Sequence, residues 1–242
     1  SPMTLLLTLT TFFIAAGGIL YEIYLGAFGS YLFGDSVKVF SLTTGLYMFS
    51  MGVGAFSVKP DTRHVWRRLL LTELALMVLH LVSPFLIWHF FILGVGTNIF
   101  FWAVLLISGT LVGTEIPLVL GLAREREGTS DARVHQILAA DYTGALAASV
   151  AFGYWLLPRV GFIGSAAPAA VTEGLGAVGL ILFLGRAPET RRPRIFAWAA
   201  ILVAIPFGVT IGVVFFSKTE TKETVKYVQV QSSAKPSEHE AP

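Results

Sequence analysis

The sequence predicts an all-α protein, a polytopic transmembrane helix bundle of about seven spans, and two observations lead to this fold class. Hydrophobic residues make up 55% of the 242 residues and charged residues only 13%, about half the usual charged fraction. The charges also fall mostly between apolar stretches of about 20 residues, the length that crosses a bilayer. Such a composition excludes a soluble enzyme, a disordered chain and a nucleic-acid-binding protein.

Turn and breaker signals separate the apolar stretches and define the expected helices in order. Gly34-Asp35-Ser36 follows the first stretch, and Lys59-Pro60-Asp61 follows the second. Pro84 lies inside the third, where neighbouring helices can satisfy the carbonyl that a proline leaves free, and Pro158 is expected to close the fifth. The predicted spans are about residues 3–33, 39–58, 69–93, 99–122, 139–157, 162–184 and 195–216.

The first stretch is longer than a bilayer requires. It therefore forms either one tilted or kinked helix, with Gly17-Gly18 as the expected kink, or two half-spans. Taken together, residues 1–216 are predicted to form the membrane bundle. Residues 217–242 are rich in Ser, Lys and Glu, and they are predicted to form a polar tail that cannot bury a core.

The positions of Lys and Arg predict the orientation of the bundle. Only Lys38 and Arg159 lie in the loops that follow spans one, three and five. Because positively charged loops stay in the cytoplasm, the N-terminus is expected in the cytoplasm and the tail outside, in a bacterial cytoplasmic (inner) membrane. The basic residues of the cytoplasmic loops are Lys59, Arg63, Arg67, Arg68, Arg124, Arg126, Arg133, Arg186, Arg191, Arg192 and Arg194.

Acidic residues within the spans are the main chemical feature of the sequence. No Lys or Arg lies inside a predicted span, so each of these acids needs a proton, polar surroundings or a bound cation. They are candidate cation-binding residues; alternatively, each hydrogen-bonds to Ser, Thr, Tyr or backbone of a neighbouring helix. The five acids are Glu22, Glu73, Glu115, Asp141 and Glu173.

Counting helical turns from the basic loops gives the expected depth of each acid. Glu73, Glu115 and Asp141 are expected at the inner leaflet, where they can converge. Glu173 is expected near the middle of the membrane and Glu22 in its outer part. Pro117 follows Glu115 and frees a backbone carbonyl one turn earlier, which gives either a cation ligand beside the carboxylate or a simple kink.

The histidines and the known catalytic motifs give little indication of a cofactor or a reaction. His80 and His89 are nine residues apart on the third span, so they face roughly opposite sides of a helix. A haem bound by both is not expected, and whether either one ligates a pigment stays open. The chain has no cysteine, no phosphate-binding loop and no zinc-protease motif. We therefore expect no cofactor, no metal site and no catalytic residue.

Several blocks of the sequence resemble the membrane domain attached to some bacterial spermidine synthases, the polyamine aminopropyltransferases. The blocks run in order over about residues 10–165, and their combination is more specific than any one of them. They are Leu20-Tyr21-Glu22, Gly34-Asp35-Ser36, Phe40-Ser41-Leu42-Thr43-x-Gly45-Leu46, Met51-Gly52-x-Gly54, Glu73, Gly113-x-Glu115-Ile116-Pro117-Leu118, Ala140-Asp141-Tyr142-x-Gly144-Ala145 and Leu157-Pro158-x-x-Gly161.

In that family a membrane bundle precedes a soluble Rossmann-like aminopropyltransferase domain. Only the polar residues 217–242 follow the last predicted span, so the resemblance implies a membrane module without the synthase. We expect a noncatalytic integral membrane subunit of a larger complex, and not an enzyme. Its expected partners are the lipid bilayer and other membrane subunits, without nucleic acid. The alternative is a membrane binder or carrier of a small cation, a polyamine or one exchanged with protons, that uses the intramembrane carboxylates.

Overall fold

The computed structural model describes residues 2–59, 64–127 and 131–185, and these residues are all-helical, without a β-strand. The six long helices are α1 (Pro2–Phe33), α2 (Ser36–Ser57), α3 (Val65–Leu93), α4 (Thr97–Glu127), α5 (Asp131–Ala151) and α6 (Leu157–Gly185). Six helical segments are long and apolar enough to cross a membrane, which confirms an all-α membrane bundle. The seventh predicted span, residues 195–216, and the tail lie outside the described residues.

The helix ends follow the turn signals of the sequence. Gly34 and Asp35 both have positive φ, and the Asp35 side chain accepts a hydrogen bond from the backbone N–H of Lys38, so it caps α2. Gly94 and Gly96 take the left-handed conformation in the short turn from α3 to α4. The first stretch is one continuous helix of 32 residues, so it is neither broken at Gly17-Gly18 nor split into two half-spans.

The prediction that Pro158 ends the fifth span is wrong. A π-helical turn, Phe152–Leu156, joins α5 to α6, and helix continues past Pro158 to Gly161. A proline has no N–H to donate to the carbonyl four residues earlier, and the wider π-helical turn directly before Pro158 accommodates its ring. The chain breaks instead at Gly161, where φ is 67°. The candidate spans are accordingly Arg133–Phe162 and Gly164–Leu184.

Helix α1 lies at the centre of the bundle and packs against α2, α4, α5 and α6, while α3 packs against α4 and α6. Glycines allow the closest approaches. A methyl group at Gly113 of α4 would overlap the backbone of Met51 in α2, and one at Gly144 of α5 would overlap the backbone of Phe12 in α1. These contacts are backbone against backbone, as is typical of helices that associate in lipid.

Two apolar clusters fill the interior of the bundle. The first is rich in aromatic side chains and contains Leu76, Val112 and Ala169. The second contains Leu69, Leu118 and Leu180. On each of α3, α4 and α6, a short polar stretch thus separates a residue of the first cluster from a residue of the second. The interior therefore has a polar layer between two apolar ones.

Candidate functional site

Three glutamates meet in this polar layer. Glu73 of α3, Glu115 of α4 and Glu173 of α6 each offer one carboxylate oxygen, and the three oxygens lie within 4.8 Å of one another. Their side chains are buried, with exposed fractions of 0%, 2% and 0%. Three helices that are distant in sequence thus converge on one point, which we call the acid cluster.

The acid cluster is short of partners. Both carboxylate oxygens of Glu73, both of Glu173 and Oε1 of Glu115 are buried without a hydrogen-bond partner among the described residues. One oxygen of Glu73 and one of Glu173 lie within 4.8 Å of each other, so a proton on either carboxyl group would relieve their repulsion. Burying several unpaired carboxylates costs more free energy than the small net stability of a folded protein. The arrangement therefore calls for bound positive charge, as protons or as a cation.

Backbone packing makes room for the cluster. A methyl group at Gly17 of α1 would overlap Oε1 of Glu173, and one at Gly176 of α6 would come within 2.9 Å of Oε2 of Glu73. The two carboxylates therefore rest directly against helix backbone. Any larger side chain at either glycine would push a carboxylate from its place.

A buried histidine adjoins the acid cluster. His80 lies two turns after Glu73 on α3 and is fully buried, and its Nδ1 is 3.5 Å from Oε1 of Glu173. The ring stacks on Tyr21 at 3.8 Å between centroids, and the Tyr21 hydroxyl hydrogen-bonds to Ser83. The imidazole is therefore held on one face by an aromatic ring, with one nitrogen directed at the cluster.

A chain of hydrogen bonds runs from the other nitrogen of His80 to α1. His80 Nε2 is 2.9 Å from the hydroxyl of Ser108, which is 3.2 Å from the hydroxyl of Tyr47. The Tyr47 hydroxyl in turn donates to the backbone carbonyl of Gly18 at 3.2 Å. Tyr47 and Ser108 are both fully buried. The hydrogen bonds thus run from α3 through α4 and α2 to α1.

The other two acids of the sequence analysis lie apart from the acid cluster. Asp141 on α5 is only half-buried, and Glu22 on α1 is 6% exposed; neither belongs to the group whose oxygens meet. Of the expected group Glu73, Glu115 and Asp141, the first two meet, and the third oxygen within 4.8 Å belongs to Glu173. Asp141 lies on the span with the smallest buried share.

The position of His80 beside the acids was not predicted from the sequence, where this residue was considered only as a pigment ligand. The expected opposite facing of the two histidines is confirmed, since His80 is fully buried and His89 is exposed. The available signal was spacing: Glu73 and His80 are seven residues apart, two helical turns, and so share a face of α3.

The chain is similar in sequence to several known proteins that share one name. The chain is 36% identical to polyamine aminopropyltransferase 2 of Ralstonia nicotianae over 65% of its length and 31% of that protein. It is 32% identical to polyamine aminopropyltransferase 1 of Streptomyces coelicolor over 82% of its length and 38% of that protein. It is 34% identical to the polyamine aminopropyltransferase of Corynebacterium efficiens over 83% of its length and 39% of that protein.

No family model matches the chain, and no solved structure matches it. The chain spans only about a third of the length of the relatives above. The expectation that it is not an enzyme is nonetheless contradicted, because all three relatives are named as transferases. The resemblance seen in the sequence is confirmed: this chain is a relative of the polyamine aminopropyltransferases that corresponds to about a third of their length.

Proposed function

We propose that this chain is the integral membrane module of an aminopropyltransferase-type protein or assembly, and that its interior binds a small cation at the acid cluster. The convergence of Glu73, Glu115 and Glu173 carries the second part of the proposal. Their oxygens lie within 4.8 Å of one another, buried and without a cationic side chain among the three. Intramembrane carboxylates with this geometry are typical of ion and proton sites.

The transferase part of the proposal rests on the relatives. They carry the name polyamine aminopropyltransferase and are about three times as long as the region they share with this chain. A region of this kind works together with the rest of such a protein. The partners we propose are therefore the lipid bilayer and further protein of the same assembly, which cover the apolar side chains exposed on α2, α3 and α5.

The proposed topology keeps seven spans, with the N-terminus in the cytoplasm and the tail outside a bacterial inner membrane. Lys59 at the end of α2 and Arg67 at the start of α3 are at one end of the bundle, as are Arg124 and Arg133 around the α4–α5 connection. The opposite end has Lys38 and Arg159 among the described residues. This asymmetry supports a cytoplasmic position for the first end.

Several cations could occupy such a site by charge alone: a metal ion, a proton, or a polyamine ammonium group, which the names of the relatives suggest. Ligand-induced stabilisation separates them, because a ligand that binds only the folded state raises the unfolding temperature. We propose to measure thermal unfolding of the full chain in detergent, with spermidine, with MnCl2 and with no added cation, at several pH values.

At least one of these cations is expected to stabilise the wild-type chain, and Glu115→Gln is expected to abolish the effect. Asp141→Asn is the matched control, because it removes an acid of the same bundle that lies outside the cluster. It should leave the stabilisation unchanged. Equal loss in both variants, or no stabilisation of the wild type by any cation, would refute a cation site in the acid cluster.

A further inference from the structure

The hydrogen-bond chain between His80 and Gly18 fixes where its protons lie. The backbone carbonyl of Gly18 only accepts, so the Tyr47 hydroxyl must donate its single proton there. The Tyr47 oxygen is then an acceptor, and the proton of Ser108 goes to it. The Ser108 oxygen in turn accepts from His80, so Nε2 of His80 carries its proton.

It follows that Nδ1 of a neutral His80 carries a lone pair. This nitrogen is fully buried, has no hydrogen-bond partner, and points at Oε1 of Glu173 from 3.5 Å. Two electron-pair donors therefore face each other across a gap that is wider than a hydrogen bond. A positively charged species between them would satisfy both. This unpartnered nitrogen is a second type of donor, directed at Glu173 on the edge of the acid cluster.

Resting on the cation site proposed above, we propose that Glu73, Glu115, Glu173 and His80 form a binding site for one divalent transition-metal ion. The site offers three carboxylate oxygens and one imidazole nitrogen from three helices. This ligand set suits ions such as Mn²⁺, Fe²⁺, Co²⁺ and Zn²⁺. Ligands on facing helices of a bundle are the usual way in which helical proteins build such a site.

The three carboxylate oxygens are spaced closely enough to adjust to one ion. Two ligands bound at about 2.1 Å can be no more than about 4.2 Å apart, and the carboxylate oxygens lie within 4.8 Å of one another. Carboxylates need to move by less than about 1 Å to close on an ion. Nδ1 of His80 lies 3.5 Å from Glu173 but outside the group of atoms within 4.8 Å of one another, so the imidazole also has to move toward Glu73 and Glu115.

The surroundings of His80 match those of a metal ligand. A histidine that binds a metal through one nitrogen usually donates its other N–H to a fixed acceptor, which sets its tautomer and orientation. Ser108 has that role here, and Tyr21 stacks on the ring. Ser108 is therefore a positioning residue and not a ligand.

Burial favours an ion over an organic cation. The three glutamates and His80 are at most 2% exposed, and apolar clusters pack on both sides of the layer. An ammonium group on an alkyl chain would have to displace packed side chains, whereas a single ion would not. The divalent charge also offsets two of the three carboxylate charges.

Cobalt provides the test, because Co²⁺ in a low-symmetry site absorbs visible light. The full chain is produced in medium with added CoCl2, purified in detergent, and measured by metal analysis and visible absorption. We expect about one Co²⁺ per chain, as for a single closed site. His80→Ala, or His80→Gln if the alanine variant does not fold, should change the absorption bands and weaken binding by 100-fold or more. Retention of the bands in a folded His80 variant would overturn the assignment of this ligand.

Two further variants separate ligation from general structure. His89→Ala changes an exposed histidine on the same helix and should leave cobalt binding as in the wild type. Ser108→Ala removes the acceptor that orients His80 and should keep the stoichiometry with affinity about 10–100-fold weaker. Equal effects of His89→Ala and His80→Ala would count against the proposed site.

The outcome also distinguishes this inference from the proposed function. Stabilisation by spermidine without cobalt binding would overturn the metal site and leave the cation site standing. A pH-dependent effect of Glu115→Gln without any bound cation would mean a shared proton only, and would likewise overturn the metal site. No cobalt, no spermidine effect and no proton effect would overturn both.

Discussion

Acidic side chains lie in two parts of this bundle that differ in their surroundings. Glu73, Glu115 and Glu173 meet in the interior, while Asp141 stands half-buried on α5. In the span that contains α4, 56% of the most apolar 18 residues are buried. In the span that contains α5, only 11% are. An acid in a membrane span is therefore not a site by itself. It becomes one when packed helices bring several acids to a place without other partners.

Mutations at the closely packed helix contacts of the interior should have the largest effect on stability. We expect Gly113→Ala to destabilise the protein by about 3 kcal/mol, because the new methyl group would overlap the backbone of Met51 and not a movable side chain. At about 2–4 °C per kcal/mol for a chain of this size, the unfolding temperature should fall by about 6–12 °C. Thermal unfolding in detergent measures this.

Gly52→Ala on α2 is the matched control, because a methyl group at Gly52 meets nothing within 4 Å. Its unfolding temperature should stay within about 2 °C of the wild type. A fall for Gly52→Ala as large as that for Gly113→Ala would show that the close contact of α2 with α4 does not carry the effect.

Charge in the cluster should give the next largest effect, in the opposite direction. In protein freed of cations, we expect Glu173→Gln to raise the unfolding temperature by about 2–6 °C. The change removes one of three like charges within 4.8 Å, and the new amide can donate toward Glu73 or the lone pair of His80. Thermal unfolding after treatment with a chelator measures this. A functional site with this strain trades stability for binding.

Asp141→Asn should change the same quantity by less than about 1 °C, because this acid is half-buried and is not one of the three whose oxygens lie within 4.8 Å of one another. Glu173→Gln is also expected to remove any stabilisation by added MnCl2. A lower unfolding temperature for cation-free Glu173→Gln would contradict the like-charge account of the cluster.

The sequence was enough to predict much of this molecule but not the composition of its site. Apolar length predicted the six described helices, and Gly34-Asp35-Ser36 predicted the first turn. Counting turns placed each acid at a depth. It did not show which way each acid faces, because these helices are apolar on every side and have no stripe to mark the buried face. Depth alone therefore did not predict that Glu173 completes the cluster.

His80 was missed for a related reason. Its tautomer depends on Ser108, Tyr47 and Gly18, which lie on three other helices. No local pattern in the sequence connects them. The same holds for the π-helical turn Phe152–Leu156, where local proline chemistry predicted an end to the helix but packing carried it on to Gly161.

The smallest expected effect concerns the glycines that make room for the carboxylates. Gly176→Ala would place a methyl group 2.8 Å from Cγ1 of Ile14 and 2.9 Å from Oε2 of Glu73. Because a carboxylate at the end of a flexible side chain can shift, we expect the fold to survive with an unfolding temperature within about 2 °C of the wild type. The shifted oxygen should weaken cation binding by about 3–10-fold, which is up to about 1.4 kcal/mol. A titration with CoCl2 or spermidine, whichever stabilises the wild type, measures this.

Gly153→Ala in the π-helical turn next to α5 is the control, because a methyl group there meets nothing within 4 Å. Cation affinity should be the same as in the wild type. If both variants bind equally well, the carboxylate of Glu73 does not need its place against the backbone of α6, and the interior would be a looser site than the packing indicates. If only Gly176→Ala loses affinity, a single methyl group matters in the interior and not at the periphery, because only in the interior do packed helices hold a carboxylate in its binding position.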